Sequence, residues 1–296
     1  MDIVDAHHHV WRVKDMPWLS GPMVPRIFGP YEPIKRDYLI DEYIADASSA
    51  GITQSVYVQA NWPLDQVLAE VRWLAEVHEE SGWPTAVIGC ADLFDPDAVE
   101  VMKKQAEYPV MRGTRLQLHW HENPEFRFAS APDRMKDRVF RRNVAALEDL
   151  GWLFELQVFP GQMADAAELV RAVPDVMFVL VHAGMLTGRD EATVKLWRDG
   201  MARLAQLPNV VVKLTGQGTF TRRLDPDFIQ FVAAETLGWF GAARCMFGTN
   251  FPVEKLWTEL PPLVDAWLAA VPETVHDAVF AGTARRVYAL PETKEN

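Results

Sequence analysis

Three histidines stand where strand-like runs come to an end. His7 and His9 lie one residue apart at the close of IVDAHHH, and His182 closes VLVH. On an extended chain residues i and i+2 share a face, so His7 and His9 point one way and His8 the other. Two imidazoles so placed can ligate one cation or act as an acid–base and orienting pair, and His182 makes the set three. Other polar residues end similar runs. Parity groups Tyr57 with Gln59, Arg115 with Gln117 and His119, Glu155 with Gln157, and Lys213 with Thr215, while Asn250 follows the last run. A purely structural interior would carry Val, Ile and Leu at such places, so the polar set reads as one converging mouth. A guanidinium there suits an anionic substrate, whose carboxylate or sulfonate it grips bidentately; an ion pair from Arg115 to Glu155 or Asp92 is the bland alternative. Gln157, Tyr57, His119 and, two residues past His9, Trp11 complete the expected substrate contacts.

The elements that must position these groups follow from hydrophobic period. Strands are expected at 2–7, 52–59, 85–90, 110–118, 153–158, 176–181, 210–214 and 245–248. Helical patterns fall between and after them, at 37–50, 64–80, 96–107, 133–150, 162–173, 189–206, 225–239 and 260–270, with a last helix near 273–281. Asp37, Asp95-Pro96 and Asp225-Pro226 read as helix entries, and Gly51, Gly82 and Gly151 as helix stops. Eight strand–helix units imply a parallel sheet with right-handed crossovers, closed into an α/β (β/α)8 TIM barrel. No composition break divides the chain, so 1–296 is expected to be a single domain. An open doubly wound sheet is disfavoured because no GxGxxG or GxxxxGK[ST] follows the first strand. Two irregular stretches, 12–36 and 120–131, follow the first and fourth strands. They lie at the end where barrel active sites form and are expected to be its lid and rim.

The 296 residues are 49 % hydrophobic and 24 % charged, the balance of an ordinary globular protein, with a net charge of −12. That sign argues against a general binder of nucleic acid or of anionic membranes. It leaves room for a small anionic substrate in a locally basic pocket. Two cysteines, Cys90 and Cys245, are too few for a disulfide framework and are expected to be buried thiols. No run approaches a membrane span, and MDIVDAHHHVW is not built like a signal peptide, so a cytoplasmic location is the expectation. Trp197, Trp257 and Trp267 on outer helices are the candidates for a homo-oligomer surface.

DAHHHVW, GTRLQL on the fourth strand, VHAG after the sixth and FGTNFP at the eighth resemble the amidohydrolase superfamily. The similarity runs nearly the whole chain and is to the amidohydrolase-related branch of 2-pyrone-4,6-dicarboxylate lactonase, L-fuconolactonase, sulfomuconolactone hydrolase and D-galactarolactone isomerase. It implies a barrel hydrolase that opens a small carboxylated lactone or related cyclic ester. A metal-dependent decarboxylase or a lactone isomerase is the alternative. By the resemblance His7, His9, His182 and Asn250 are the catalytic positions. The three histidines are also the ligands if one divalent ion such as Zn²⁺ is bound, and a metal-independent enzyme is the other option. Position 250 is an aspartate that activates water in such lactonases. An asparagine amide has no usable basic lone pair and is a poor ligand. The base would then be metal-bound water, one of the histidines or Glu155, or the reaction needs no activated water. The strand-five lysine of binuclear relatives has no match either, which points to one metal or none.

Overall fold

β-Branched and apolar runs take the strands in the computed structural model, which describes residues 1–292. They are β1 Ile3–His8, β2 Ile52–Val58, β3 Ala86–Gly89, β4 Met111–Arg115, β5 Leu153–Leu156, β6 Phe178–Leu180, β7 Val210–Leu214 and β8 Cys245–Phe247. The eight form one sheet in chain order, every adjacent pair parallel. Main-chain bonds just past the strand ends carry the ring round: Asn250 N–H donates to His7 O (2.7 Å) and His9 N–H to Phe251 O (2.7 Å). The expected (β/α)8 barrel is the fold observed, and its closure seam runs through the residues of chemical interest.

Helices Ile40–Ser49, Val67–Ser81, Ala98–Gln105, Arg138–Ala145, Met163–Ala172, Glu191–Ala205, Pro226–Phe240 and Leu260–Ala270 cover the outside. Inside the barrel, Val4, Ala6, Val56, Val58, Ala86, Ile88, Leu153, Val179, Val211 and Met246 pack with Ala281, Ala284 and Tyr288 near the carboxyl terminus. That end is thereby plugged with apolar atoms, and the polar groups are left to the opposite mouth. No helix among the described residues is long and apolar enough to cross a membrane. Cys90 and Cys245 are buried free thiols, as expected.

Several expected elements differ in detail. The 133–150 pattern breaks into a 3-10 turn (Arg134–Lys136), the helix Arg138–Ala145 and another 3-10 turn (Glu148–Leu150). The break falls at Asp137, whose carboxylate accepts from Val139 N (2.8 Å) and Phe140 N (3.0 Å) and so starts a helix in mid-pattern. Asp37 is not a helix cap but accepts from Val13 N (2.7 Å), fastening the lid segment. The expected last helix at 273–281 is present as a 3-10 turn (Glu273–Val275) and a π turn (Ala278–Gly282), and it runs on into the helix Thr283–Tyr288. Trp197 and Trp267 are buried in the chain's own core, which removes them as oligomer candidates: an amphipathic helix turns its largest apolar residues inward.

Candidate active site

Alternation alone would leave His8, in step with Val4 and Ala6, pointing into the barrel. A register irregularity between Asp5 and His8 reverses the step. His8 therefore lies outside, stacked on Tyr43 of the first outer helix at 3.8 Å. His7 and His9 turn inward, their ring centroids 5.1 Å apart, and His182 comes to 4.9 Å from His7. His182 reaches that place on unusual backbone: His182, Ala183, Gly184 and Met185 have φ of 54°, 46°, 72° and 55° in succession. Such left-handed residues cost energy individually and persist where surroundings fix them. Here Trp197 Nε1 donates to Ala183 O (2.7 Å), and the Gly216 backbone lies so close that a Cβ there would sit 2.3 Å from His182 Nδ1. Asn250 is left-handed as well (φ 59°), a conformation its short polar side chain tolerates.

A cavity of about 270 Å³ opens over this floor, lined by His9, His182, Arg115, Gln157, His119, Trp11 and Asn250, with Gln117 and Thr219 beside them. Its roof is the two irregular segments, through Trp18, Arg26 and Phe28 of one and Glu125, Phe126, Arg127 and Phe128 of the other. Arg222 joins them, its guanidinium donating to Ile27 O (3.2 Å) and lying 3.8 Å from Glu125. His7 sits one layer below, its Nδ1 3.5 Å from Lys213 Nζ and its Nε2 buried without a hydrogen-bond partner.

Tyr57 is a correction. Val56 and Val58 face the barrel interior, so Tyr57 faces outward and donates its hydroxyl to Glu70 of the Val67–Ser81 helix (2.7 Å). Parity assigns partners to a face without saying which face is inside. Gln59 is also off the cavity wall; it accepts a hydrogen bond from Arg115 at its carbonyl and props the Arg115 carbonyl with Nε2 (3.3 Å). Glu155 is not at the mouth either. It pairs with Lys213 (2.5 Å) and accepts from Tyr288 (2.8 Å) below the histidines, which ends its candidacy as base and as partner of Arg115. Arg115 instead donates to Gln157 Oε1 (3.2 Å) and to the Gln59 carbonyl, both neutral acceptors, and its Nε has no partner among the described residues.

The electrostatics follow from burial beside cations. Burial, then Lys213, drives His7 well below the usual histidine range. Burial and then Arg115 do the same to His182 and lower His9 and His119 to about 3. All four rings are thus neutral at pH 7. His9 Nδ1 lies 2.7 Å from Val58 O, an atom that only accepts. The ring proton therefore sits on Nδ1, and Nε2 carries the free lone pair. Asn250 lines the same cavity. Its Nδ2 is directed to Thr219 Oγ1 (3.3 Å) and Glu254 Oε1 (3.5 Å), which leaves Oδ1 for the cavity side.

Neutral imidazoles are the right donor type for zinc, but the arrangement does not fit it. Among the described residues no three His, Cys, Asp or Glu side chains converge to hold a metal ion, and Lys213 sets an ammonium against His7. Glu254 and Lys213 are the polar groups that sequence reasoning passed over or left without a role. Glu254 follows the strand in a 3-10 turn where no period applies. Lys213 gave a parity signal, but nothing in the sequence showed its partner.

The amidohydrolase family model matches residues 4–290, and the chain belongs to that family. It is 30 % identical over 267 residues to an uncharacterised protein of Sinorhizobium fredii, covering 90 % of each chain. It is 30 % identical to an L-fucono-1,5-lactonase of Burkholderia multivorans, covering 98 % of this chain and 96 % of that one. An amidohydrolase crystal structure from Burkholderia multivorans superposes with a TM-score of 0.81 at 29 % identity, covering 98 % of this chain and 100 % of that one. That protein has been solved with HEPES bound and with zinc bound.

Proposed function

We propose that this enzyme hydrolyses a small anionic lactone, with His9 as general base, His182 as carbonyl polariser and Arg115 as anchor of the substrate's acidic group. One observation carries the reading: two acceptors, His9 Nε2 and Asn250 Oδ1, face the cavity beside an arginine whose hydrogen bonds, among the described residues, go to neutral oxygens. A water molecule has two donors to satisfy both acceptors, and its lone pair is then free to attack. The similarity to an L-fucono-1,5-lactonase over nearly the whole chain supports the same class of substrate.

As water attacks, its proton passes to His9 Nε2 and the carbonyl becomes an oxyanion. With His182 Nδ1 turned to the Gly216 backbone, Nε2 is the nitrogen on the cavity side and donates to that oxygen. Collapse breaks the ring C–O bond, and His9 returns the proton to the leaving alkoxide. A base lowered to about 3 is weak in the resting enzyme. Arg115 is one cause of that lowering, so an anionic substrate that neutralises Arg115 raises the basicity of His9 when it is needed. No step is assigned to a metal, because the donors do not converge for one.

A panel of sugar-acid lactones and carboxylated lactones assayed by pH-stat tests this. Acid release is expected for some member of the panel, with His182→Asn losing on the order of 100-fold in kcat, the usual worth of an oxyanion donor. No acid release from any lactone, or carbon dioxide release from carboxylated aromatics instead, would overturn it.

A further inference from the structure

Glu254 is fully buried and stands four residues after Asn250, at the start of the 3-10 turn Glu254–Leu256. Its Oε1 accepts from Thr219 N (3.0 Å), from Thr219 Oγ1 (3.2 Å) and from Asn250 Nδ2 (3.5 Å). Its Oε2 occupies the space over Gly218, where a Cβ would meet it at 2.0 Å. Among the described residues no ionised side chain joins these contacts. They come from Asn250 on its own segment and from Gly218 and Thr219 after β7, while the neighbouring Lys255 turns away to Asp46 (2.7 Å) and Glu42 (3.2 Å). Both Asn250 and Thr219 line the cavity, whereas Glu254 lies behind them. A carboxylate with no cation partner, held in a cradle that only glycine leaves open, is costly to bury and serves whatever it fixes.

We propose that Glu254 is the positioning residue of this site: by accepting from Asn250 Nδ2 and Thr219 it turns Asn250 Oδ1 toward the attacking water. An asparagine can present either end of its amide, and the two ends do opposite things. Against an ionised Glu254, which only accepts, Nδ2 must face the carboxylate and Oδ1 the cavity. Against a protonated Glu254 the amide can reverse and offer the water a second donor where it needs an acceptor. Burial brings this choice within reach, pushing Glu254 up to about 7 despite the hydrogen bonds that favour its ionised form.

The inference rests on the hydrolytic reading, so its test has one arm that needs no substrate. In ¹⁵N-labelled enzyme the Asn250 side-chain amide signals, assigned by their loss in Asn250→Asp, should titrate between pH 5.5 and 8.5 in the wild type. They should not titrate in Glu254→Gln. In the kinetic arm Glu254→Gln should lose about 10-fold or more in kcat with KM changed little, the pattern of an interaction made in the transition state. Gly218→Ala, which pushes the carboxylate aside without removing it, should reproduce that loss and serves if Glu254→Gln fails to melt cooperatively. The exchanged pair Asn250→Asp with Glu254→Gln restores one carboxylate and one amide and should recover part of the lost kcat; a merely structural Glu254 predicts no recovery. Asn250 signals that neither move with pH nor differ between the wild type and Glu254→Gln overturn the proposal, as do Glu254→Gln and Gly218→Ala enzymes with wild-type kcat. A wild type inactive on every lactone overturns the hydrolytic reading, and the amide titration still decides the role of Glu254.

Discussion

Arg115 is a buried cation whose hydrogen bonds go to Gln157 and the Gln59 carbonyl, with Nε unused, and it lines the cavity over a floor of neutral histidines. Replacing it with methionine keeps the volume and removes the charge. A hydrogen bond to a charged group is worth about 1.5–3 kcal/mol, so KM for an anionic lactone should rise about 10- to 100-fold. An unchanged KM in steady-state kinetics would rule out the anchoring role. At this scale the sequence was legible where residue type at a strand end carried the reading: His7, His9, His182, Arg115, Gln157, His119, Trp11 and Asn250 do gather at one end of the barrel. It was not legible where only tertiary contacts decide. Polarity and a strand-end position point Tyr57 to the mouth, but its hydroxyl is satisfied by Glu70 on an outer helix. Glu254 lies outside any periodic element, and only the distance to Thr219 gives it meaning.

Backbone shape places the third histidine. The segment after β6 runs left-handed from His182 to Met185, and it fits only because Gly216 offers no side chain where the His182 ring passes. Gly216 is itself left-handed, with φ +74°. Gly216→Ala combines an unfavourable φ with a clash against the ring and should displace His182. We expect destabilisation of about 1–3 kcal/mol, the usual cost of overpacking, together with a larger fall in kcat than in stability. A thermal melt beside a kcat measurement checks it; wild-type kcat in a folded Gly216→Ala enzyme would contradict it. Element centres were readable from period because the sheet is buried on both faces and each strand is a short apolar run. Element ends were not: β4 stops at Arg115, well short of 118, once the chain leaves the sheet to build the rim. The π turn before Thr283 likewise leaves no mark in a 3.6-residue pattern.

Across the whole molecule the buried ionisable groups make stability depend on pH in a definite direction. Five buried histidines (His7, His8, His9, His119 and His182) are depressed when folded and take up protons on unfolding. Their contribution is present above the unfolded value near 6.5 and is lost as pH falls through it. Three buried carboxyls, Asp5 at about 6 and Glu70 and Glu254 at about 7, are raised, so their contribution holds at low pH and is lost as pH rises through those values. The histidines outnumber them, so Tm should sit on a plateau near pH 7 and fall as pH drops from 6 to 5. Calorimetry across that range checks it, and a Tm that rises on acidification would contradict it. The central claim is that water opens the substrate ring. It is tested most directly by running the reaction on an active lactone in ¹⁸O-enriched water and reading the product by mass spectrometry. Attack by water at the carbonyl predicts a single ¹⁸O in the carboxylate of the opened acid. A product of unchanged mass, as isomerisation gives, or one that has lost carbon dioxide would contradict it.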